Sequence, residues 1–244
     1  MALRWAWLAA IATMGCHHFR VDDPLVPTPV GDTLILPIRG ELELSGSVAT
    51  TMGVVNAAEE GQPHHLAHTL FGARVRVTTE DWLALGVDGF LGFPSLSEPL
   101  RTDGVTPDKG GVGGFGPNLA FFVRGDSLTF AVAGSFQLMV SSRGTADQVV
   151  FLYRVSPGVT YEVNDSVRLF GGVSFQNAPA NGSDEHGIKL TGGSFGGVVN
   201  AGVSLMLTEA FFTNASYFLP LGFNRTFNDQ VQWGGLQVEF GVAL

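Results

Sequence analysis

Cysteine is all but missing from this chain: Cys16 is the only one, so no disulfide can form within it. Charge is scarce as well, at 14% of residues, and basic charge is the scarcer kind, with 13 Lys+Arg against 22 Asp+Glu. The net charge of -9 comes with no Lys/Arg cluster, which argues against a nucleic-acid partner, because phosphate binding needs a basic surface. A membrane-spanning helix is missing too. Residues 190–208 carry no charge, but they hold five glycines and alternate with period two, Asn200 and Ser204 falling opposite Val199, Val203 and Leu205. Dense glycine with that period fits a strand, not a helix.

Abundant instead are glycine (33 residues) and phenylalanine (19), in a chain that is 45% hydrophobic. Glycine without a collagen period, together with aromatics, suits closely packed β structure. Leu128, Phe130, Val132, Phe136, Leu138 and Val140 alternate with Thr129, Ala131, Ala133, Ser135, Gln137 and Ser141. Successive side chains of a strand point to opposite faces, so this segment has one apolar face and one polar or small face. Similar segments recur at 40–52, 70–78, 82–93, 117–124, 149–162, 167–176, 195–208, 210–219 and 231–244. Tight turns at 79–81, 125–127, 164–166 and Glu209 alternate with long polar segments at 53–69, 94–116, 142–148, 177–194 and 222–230. Ten strands with short turns at one end and long loops at the other predict an all-β fold, a transmembrane antiparallel up-and-down β-barrel, with eight or twelve strands as the alternatives.

The N-terminus reads as a separate unit. Arg4 and the apolar run 5–14 have the make-up of a signal peptide, too short to span a membrane. The run ends on Thr13-Met14-Gly15-Cys16, which resembles a bacterial lipobox, with Thr13 in place of the usual leucine. That resemblance implies lipidation of Cys16; the alternative is an ordinary signal peptide with an incidental cysteine. The division expected is a signal peptide over 1–15, a periplasmic tether over 16–39 rich in proline, and an outer-membrane barrel over 40–244. Residues 33–38, apolar but interrupted by Pro37, are left with two placements: against the periplasmic rim, or leading into the first strand.

The last segment alternates through Leu236, Val238, Phe240, Val242 and Leu244 to the carboxyl end. It resembles the C-terminal assembly signal of bacterial outer-membrane proteins, with Leu244 in place of the usual phenylalanine. The barrel as a whole resembles the small outer-membrane barrels of the OmpA/OmpX or Opc-adhesin type. The resemblance implies the outer membrane, with an even strand count putting both barrel ends, and a lipid on Cys16, on the periplasmic side. Its partners would be outer-membrane lipids, lipopolysaccharide and, during insertion, the barrel-assembly machinery.

Strand charges fall on the face away from lipid: Glu41, Glu43, Arg74, Arg76, Asp88, Arg124, Arg154, Glu162, Arg168 and Glu239. Five acids and five arginines make a balanced lumen, with Glu41 and Glu43 set against Arg74 and Arg76 for cross-strand ion pairs. In a narrow barrel such a network reads as a filling; the small inward residues Ala131, Ala133, Gly158, Gly172 and Gly202 favour the opposite reading, an opening. His64, His65 and His68 in the first long loop would group on one helical turn and are the weak metal candidates. Ser183-Asp184-Glu185-His186 places an acid beside a base, but without the spacing of the omptin proteases. No catalytic residue and no cofactor is implied. The leading reading is a non-enzymatic structural or surface-interaction barrel displaying its loops, followed by a narrow passive channel for small solutes and, third, a hydrolase at the rim.

Overall fold

The computed structural model describes residues 19–23, 33–56, 63–96, 112–141, 148–184, 189–221 and 232–244. A short strand, β1 (Phe19–Asp23), and a 3-10 turn (Thr33–Ile35) precede ten long strands. These are β2 (Leu42–Asn56), β3 (Pro63–Glu80), β4 (Leu83–Leu96), β5 (Val112–Arg124) and β6 (Leu128–Ser141). They continue as β7 (Gln148–Asn164), β8 (Val167–Asp184), β9 (Lys189–Met206), β10 (Phe211–Leu221) and β11 (Gln232–Ala243). Each pairs antiparallel with its neighbour in sequence, and β11 pairs with β2 from Gln232↔Val54 to Ala243↔Glu43, closing a ten-stranded transmembrane barrel. Closure removes the exposed sheet edges that a membrane interior cannot solvate. The uncharged stretch over 190–208 is strand β9 and its following turn.

The turn end of the barrel is tight. Asp81–Trp82, Asp126–Ser127, Asp165–Ser166 and 207–210 reverse the chain, with the Asn164 side chain accepting from the Ser166 and Val167 amides at 2.9 Å each. At the opposite, loop end the strands run on further than their sequence periodicity suggested. β2 and β3 stay paired out to Asn56↔Pro63, and β8 and β9 out to Ser183↔Lys189.

The barrel is apolar outside and polar or small inside. On β6, Phe130, Val132, Phe136 and Val140 are 44–57% exposed while Ala131, Ala133, Gln137 and Met139 are buried. Trp82, stacked on Phe121, and Tyr161 mark the turn end, and Phe93, Phe151 and Tyr153 the loop end. Tyr161 and Phe151 face Leu128 and Leu138 of the same strand, ten residues apart. At about 3.3 Å per residue and a tilt near 40° that separation is roughly 25 Å, the height of the apolar band on membrane barrels. An arginine at Phe136 is expected to cost ~2–4 kcal/mol of folding stability in lipid. Urea titration of the Phe136→Arg barrel in vesicles checks this; an unchanged midpoint would remove Phe136 from the lipid face.

Candidate functional site: a stoppered lumen

The lumen is occupied by the chain's own N-terminal segment. Thr33, Leu34, Ile35, Leu36, Pro37 and Ile38 are all buried, and the 3-10 turn packs against the inner faces of β5, β6 and β7. Its apolar side chains form one cluster with Ala84, Ala120, Phe122, Ala131, Ala133 and Phe170. The wall behind the stopper is built from small residues. Cross-strand neighbours Ala131, Gly158 and Gly172 lie side by side, and a Cβ on Gly158 would fall 2.5 Å from Ile35 Cδ1. The inward alanines and glycines make room here, and residues 33–38 take that room; the space beside Gly202 is taken by Phe170. Burying four Leu/Ile side chains is worth about 1.5–3 kcal/mol each, so ~6–12 kcal/mol holds the stopper against an aqueous lumen.

This placement corrects the expected tether. Residues 33–38 neither lie against the rim nor lead directly into the first strand, because four large apolar side chains find a dry, small-residue wall inside the barrel. The chain leaves the lumen at Gly40, whose φ of +98° only glycine adopts without strain. A Cβ there would meet the Leu244 carbonyl oxygen at 2.7 Å. Glu41 and Leu42 then donate their amides to that same carbonyl and β2 begins.

The stopper's backbone is held by arginines. Arg76 Nη2 donates to the carbonyls of Leu34 and Leu36 at 3.1 and 3.0 Å, and its Nη1 lies 3.6 Å from Glu43 Oε1. Arg74 Nη1 donates to Thr33 Oγ1 at 2.7 Å and pairs with Glu239 at 3.2 Å. Arg168 Nη1 reaches the Pro37 carbonyl at 3.4 Å while its Nη2 pairs with Glu162 at 2.7 Å. Arg39, at the turn-end mouth, donates to the Asp165 carbonyl and Ser204 Oγ. Partial burial and the nearby Arg168 lower its pKa to about 10, against the pull of Glu162 and Glu43, so it stays charged at neutral pH.

Loopward of the stopper, Asp88 accepts from Asn118 Nδ2 at 3.0 Å and Gln137 Nε2 at 2.7 Å, with Arg154 at 3.9 Å. Glu239 accepts from Ser45 and from Asn214 Nδ2. Arg74, Asp88, Arg154, Gln176, Gln237 and Glu239 border a cavity of about 70 Å³. The buried Gln237 Oε1 has no hydrogen-bond partner among the described residues.

Of the ten lumen charges expected, Glu43, Arg74, Arg76, Asp88, Arg154 and Glu239 lie in the interior, and Glu162 and Arg168 at its turn-end mouth. Glu41 and Arg124 do not join them. Both are exposed, one before β2 and one at the end of β5, where inward parity no longer means enclosure. Register also re-pairs the group. Arg76 stands opposite Glu43, but Arg74 stands opposite Ser45 and reaches past it to Glu239 on β11. Parity puts Gln137 inside but does not show its bond to Asp88, the roles of Asn118 and Asn214, or the stopper, whose seat is signalled only by the paired inward glycines 158 and 172.

His64, His65 and His68 lie within β3, opposite Val55, Val54 and Thr51. That backbone is extended, so the helical turn that would have grouped them does not exist. Asp184 ends β8, while Glu185, His186 and Cys16 lie outside the described residues.

No family model and no curated protein sequence matches the chain. Solved structures do. An outer-membrane channel from Pseudomonas putida F1 aligns over 88% of this chain and 99% of its own, with a TM-score of 0.57 at 12% identity. The translocator domain of the autotransporter NalP from Neisseria meningitidis aligns over 99% and 94% respectively, with a TM-score of 0.45 at 12% identity. Neisserial surface protein A aligns over 83% and 97%, with a TM-score of 0.41 at 12% identity. In fold, the chain is similar to bacterial outer-membrane β-barrels.

Proposed function

We propose that this is a non-enzymatic outer-membrane barrel whose lumen is shut at rest by its own N-terminal segment, so that its working surface is the loop end. The turns would face the periplasm and the long loops the outside, against lipopolysaccharide and whatever extracellular partner the loops meet. Outer-membrane lipids would cover the apolar belt, and the barrel-assembly machinery would insert the chain. The observation that carries the reading is the burial of residues 33–38 inside the closed ladder, fastened by Arg74, Arg76 and Arg168. A barrel this narrow is normally filled by side chains; here the filling is a piece of backbone with its own latch.

A second reading, a narrow channel for small solutes, draws on the polar cavity of about 70 Å³ above the stopper. A barrel of similar fold, that from Pseudomonas putida, is a channel. Planar-bilayer recording separates the two. The full-length barrel is expected to give no stepwise currents at moderate voltage, and regular single-channel steps from it would favour the channel.

A further inference from the structure

We infer that the N-terminal segment threads the barrel from end to end, so that Phe19 stands at the loop end, on the opposite side from Gly40 and Leu244. Three observations carry this.

The first is the direction of the stopper. Gly40 meets Leu244 at the turn end, Arg39 meets Asp165, Pro37 meets Arg168, Leu36 and Leu34 meet Arg76, and Thr33 meets Arg74, two residues further up β3. Read backwards from Gly40, the chain climbs steadily away from the turns.

The second is β1 itself. Phe19 to Asp23 pair with Asp184 to Asn181 at the loop end of β8. A place for them exists because the wall forks there. β8 leaves β7 after the pair Arg154↔Gln176, whereas β7 remains paired with β6 as far as Gln148. Asn177 bridges the start of the fork, accepting from the Tyr153 amide at 2.8 Å and donating to the Phe151 carbonyl at 2.7 Å. Beyond it the β7-side edge of β8 is open, and β1 occupies it.

The third is length. Ile35 lies against Gly172 of β8, and Asp23 pairs with Asn181, nine residues further along the same strand, about 30 Å. The twelve residue steps from Asp23 to Ile35 reach about 40 Å at most. The span between those two fixed ends fits within that. A route out at the turn end and back up the outer wall would need far more, and on the turn side of the fork the ladder is closed.

The expectation that both termini share the periplasmic side is therefore replaced: the C-terminal end stays with the turns, and the N-terminal strand goes with the loops. Combined with the outward-facing loops of the proposed function, on which this step rests, β1 is presented at the cell surface.

Epitope tags placed after His18, after Ala146 in the β6–β7 loop and after Asp126 in the β5–β6 turn test it by antibody binding to intact and permeabilised cells. The His18 and Ala146 tags are expected to stain intact cells and the Asp126 tag only permeabilised ones. A His18 tag that behaves like the Asp126 tag overturns threading. If Asp126 stains intact cells and Ala146 does not, the orientation fails instead, and threading is upheld only if the His18 tag still follows Ala146. As a second measurement, the purified barrel carrying Cys16→Ser, Val21→Cys and Gly182→Cys should close an internal disulfide under mild oxidation, because Val21 and Gly182 are Cα partners. A Cys16→Ser barrel with Val21→Cys and Asp126→Cys should not; equal yields from the two, or no disulfide from the first, overturn the pairing.

Discussion

Arg76→Ala is expected to cost the folded barrel about 3–5 kcal/mol, more than any other single truncation in the lumen. Arg76 is 1% exposed and does two things at once. Its Nη2 serves the carbonyls of Leu34 and Leu36, and its Nη1 faces Glu43, itself buried. Alanine leaves that carboxylate without its counter-charge and both carbonyls without this donor, and unmade bonds to buried groups cost more than the bonds contribute when made. Two companions separate the causes. Arg76→Lys keeps the charge, but a compact ammonium cannot reproduce the planar fork, so it should recover only part of the loss. Arg76→Leu combined with Glu43→Gln removes both charges and should be milder than Arg76→Ala, since no orphan ion remains. Arg124→Ala, exposed at the end of β5, should stay within about 0.5 kcal/mol of the parent. Urea-driven unfolding in vesicles, followed by the gel mobility of folded and unfolded forms, reads all four. An Arg76→Ala midpoint equal to that of Arg124→Ala would show that the latch carries no stability.

Much of this architecture was legible because a membrane barrel writes its solvent into every second residue. Phe130, Val132 and Phe136 had to be outside for the same reason that Gln137 had to be inside, and the turn chemistry of Asn164 and Asp126 marked where the strands reverse. The pattern blurs at the loop end, where strands leave the bilayer and neither face needs to be apolar. That is why β2 and β3 run on to Asn56 and Pro63, and why the three histidines looked like loop residues. Charge parity identified inward residues but not their partners. An arginine side chain reaches past its directly opposite neighbour, as Arg74 does in passing Ser45 for Glu239. The stopper was illegible for a different reason. Six residues broken by Pro37 carry neither a helical nor a strand period, and the hole they fill appears in sequence only as small inward residues, which also describe an open pore.

Loss of the stopper's apolar side chains should turn a silent barrel into a conducting one. Replacing Leu34, Ile35, Leu36 and Ile38 together with serine keeps the chain length and leaves Arg39 and Gly40 in place, while removing the ~6–12 kcal/mol that burial supplies. At about 1.4 kcal/mol per tenfold, the lower figure is worth about 10⁴ in seating; without it only the arginine bonds hold the stopper, and unseating becomes frequent. The barrel should survive, because its ten-strand ladder closes through β2 and β11 without the stopper. Seating can also be attacked from the wall. A Cβ on Gly158 would sit 2.5 Å from Ile35 Cδ1 and 3.0 Å from the Gly171 carbonyl oxygen, so Gly158→Ala should loosen the stopper by steric conflict. Ile35→Ala should loosen it by leaving a void, and the two together should fit better than either alone, with a coupling of about 1–3 kcal/mol. Single-channel recording distinguishes the outcomes. Steps are expected from the four-serine barrel, brief openings from each single variant, and fewer from the double variant than from either. A four-serine barrel that folds and stays silent would mean that the interior charges Asp88 and Arg154, loopward of the stopper, seal the lumen without it. Additive openings in the double variant would mean that Ile35 and Gly158 do not share a contact in the membrane.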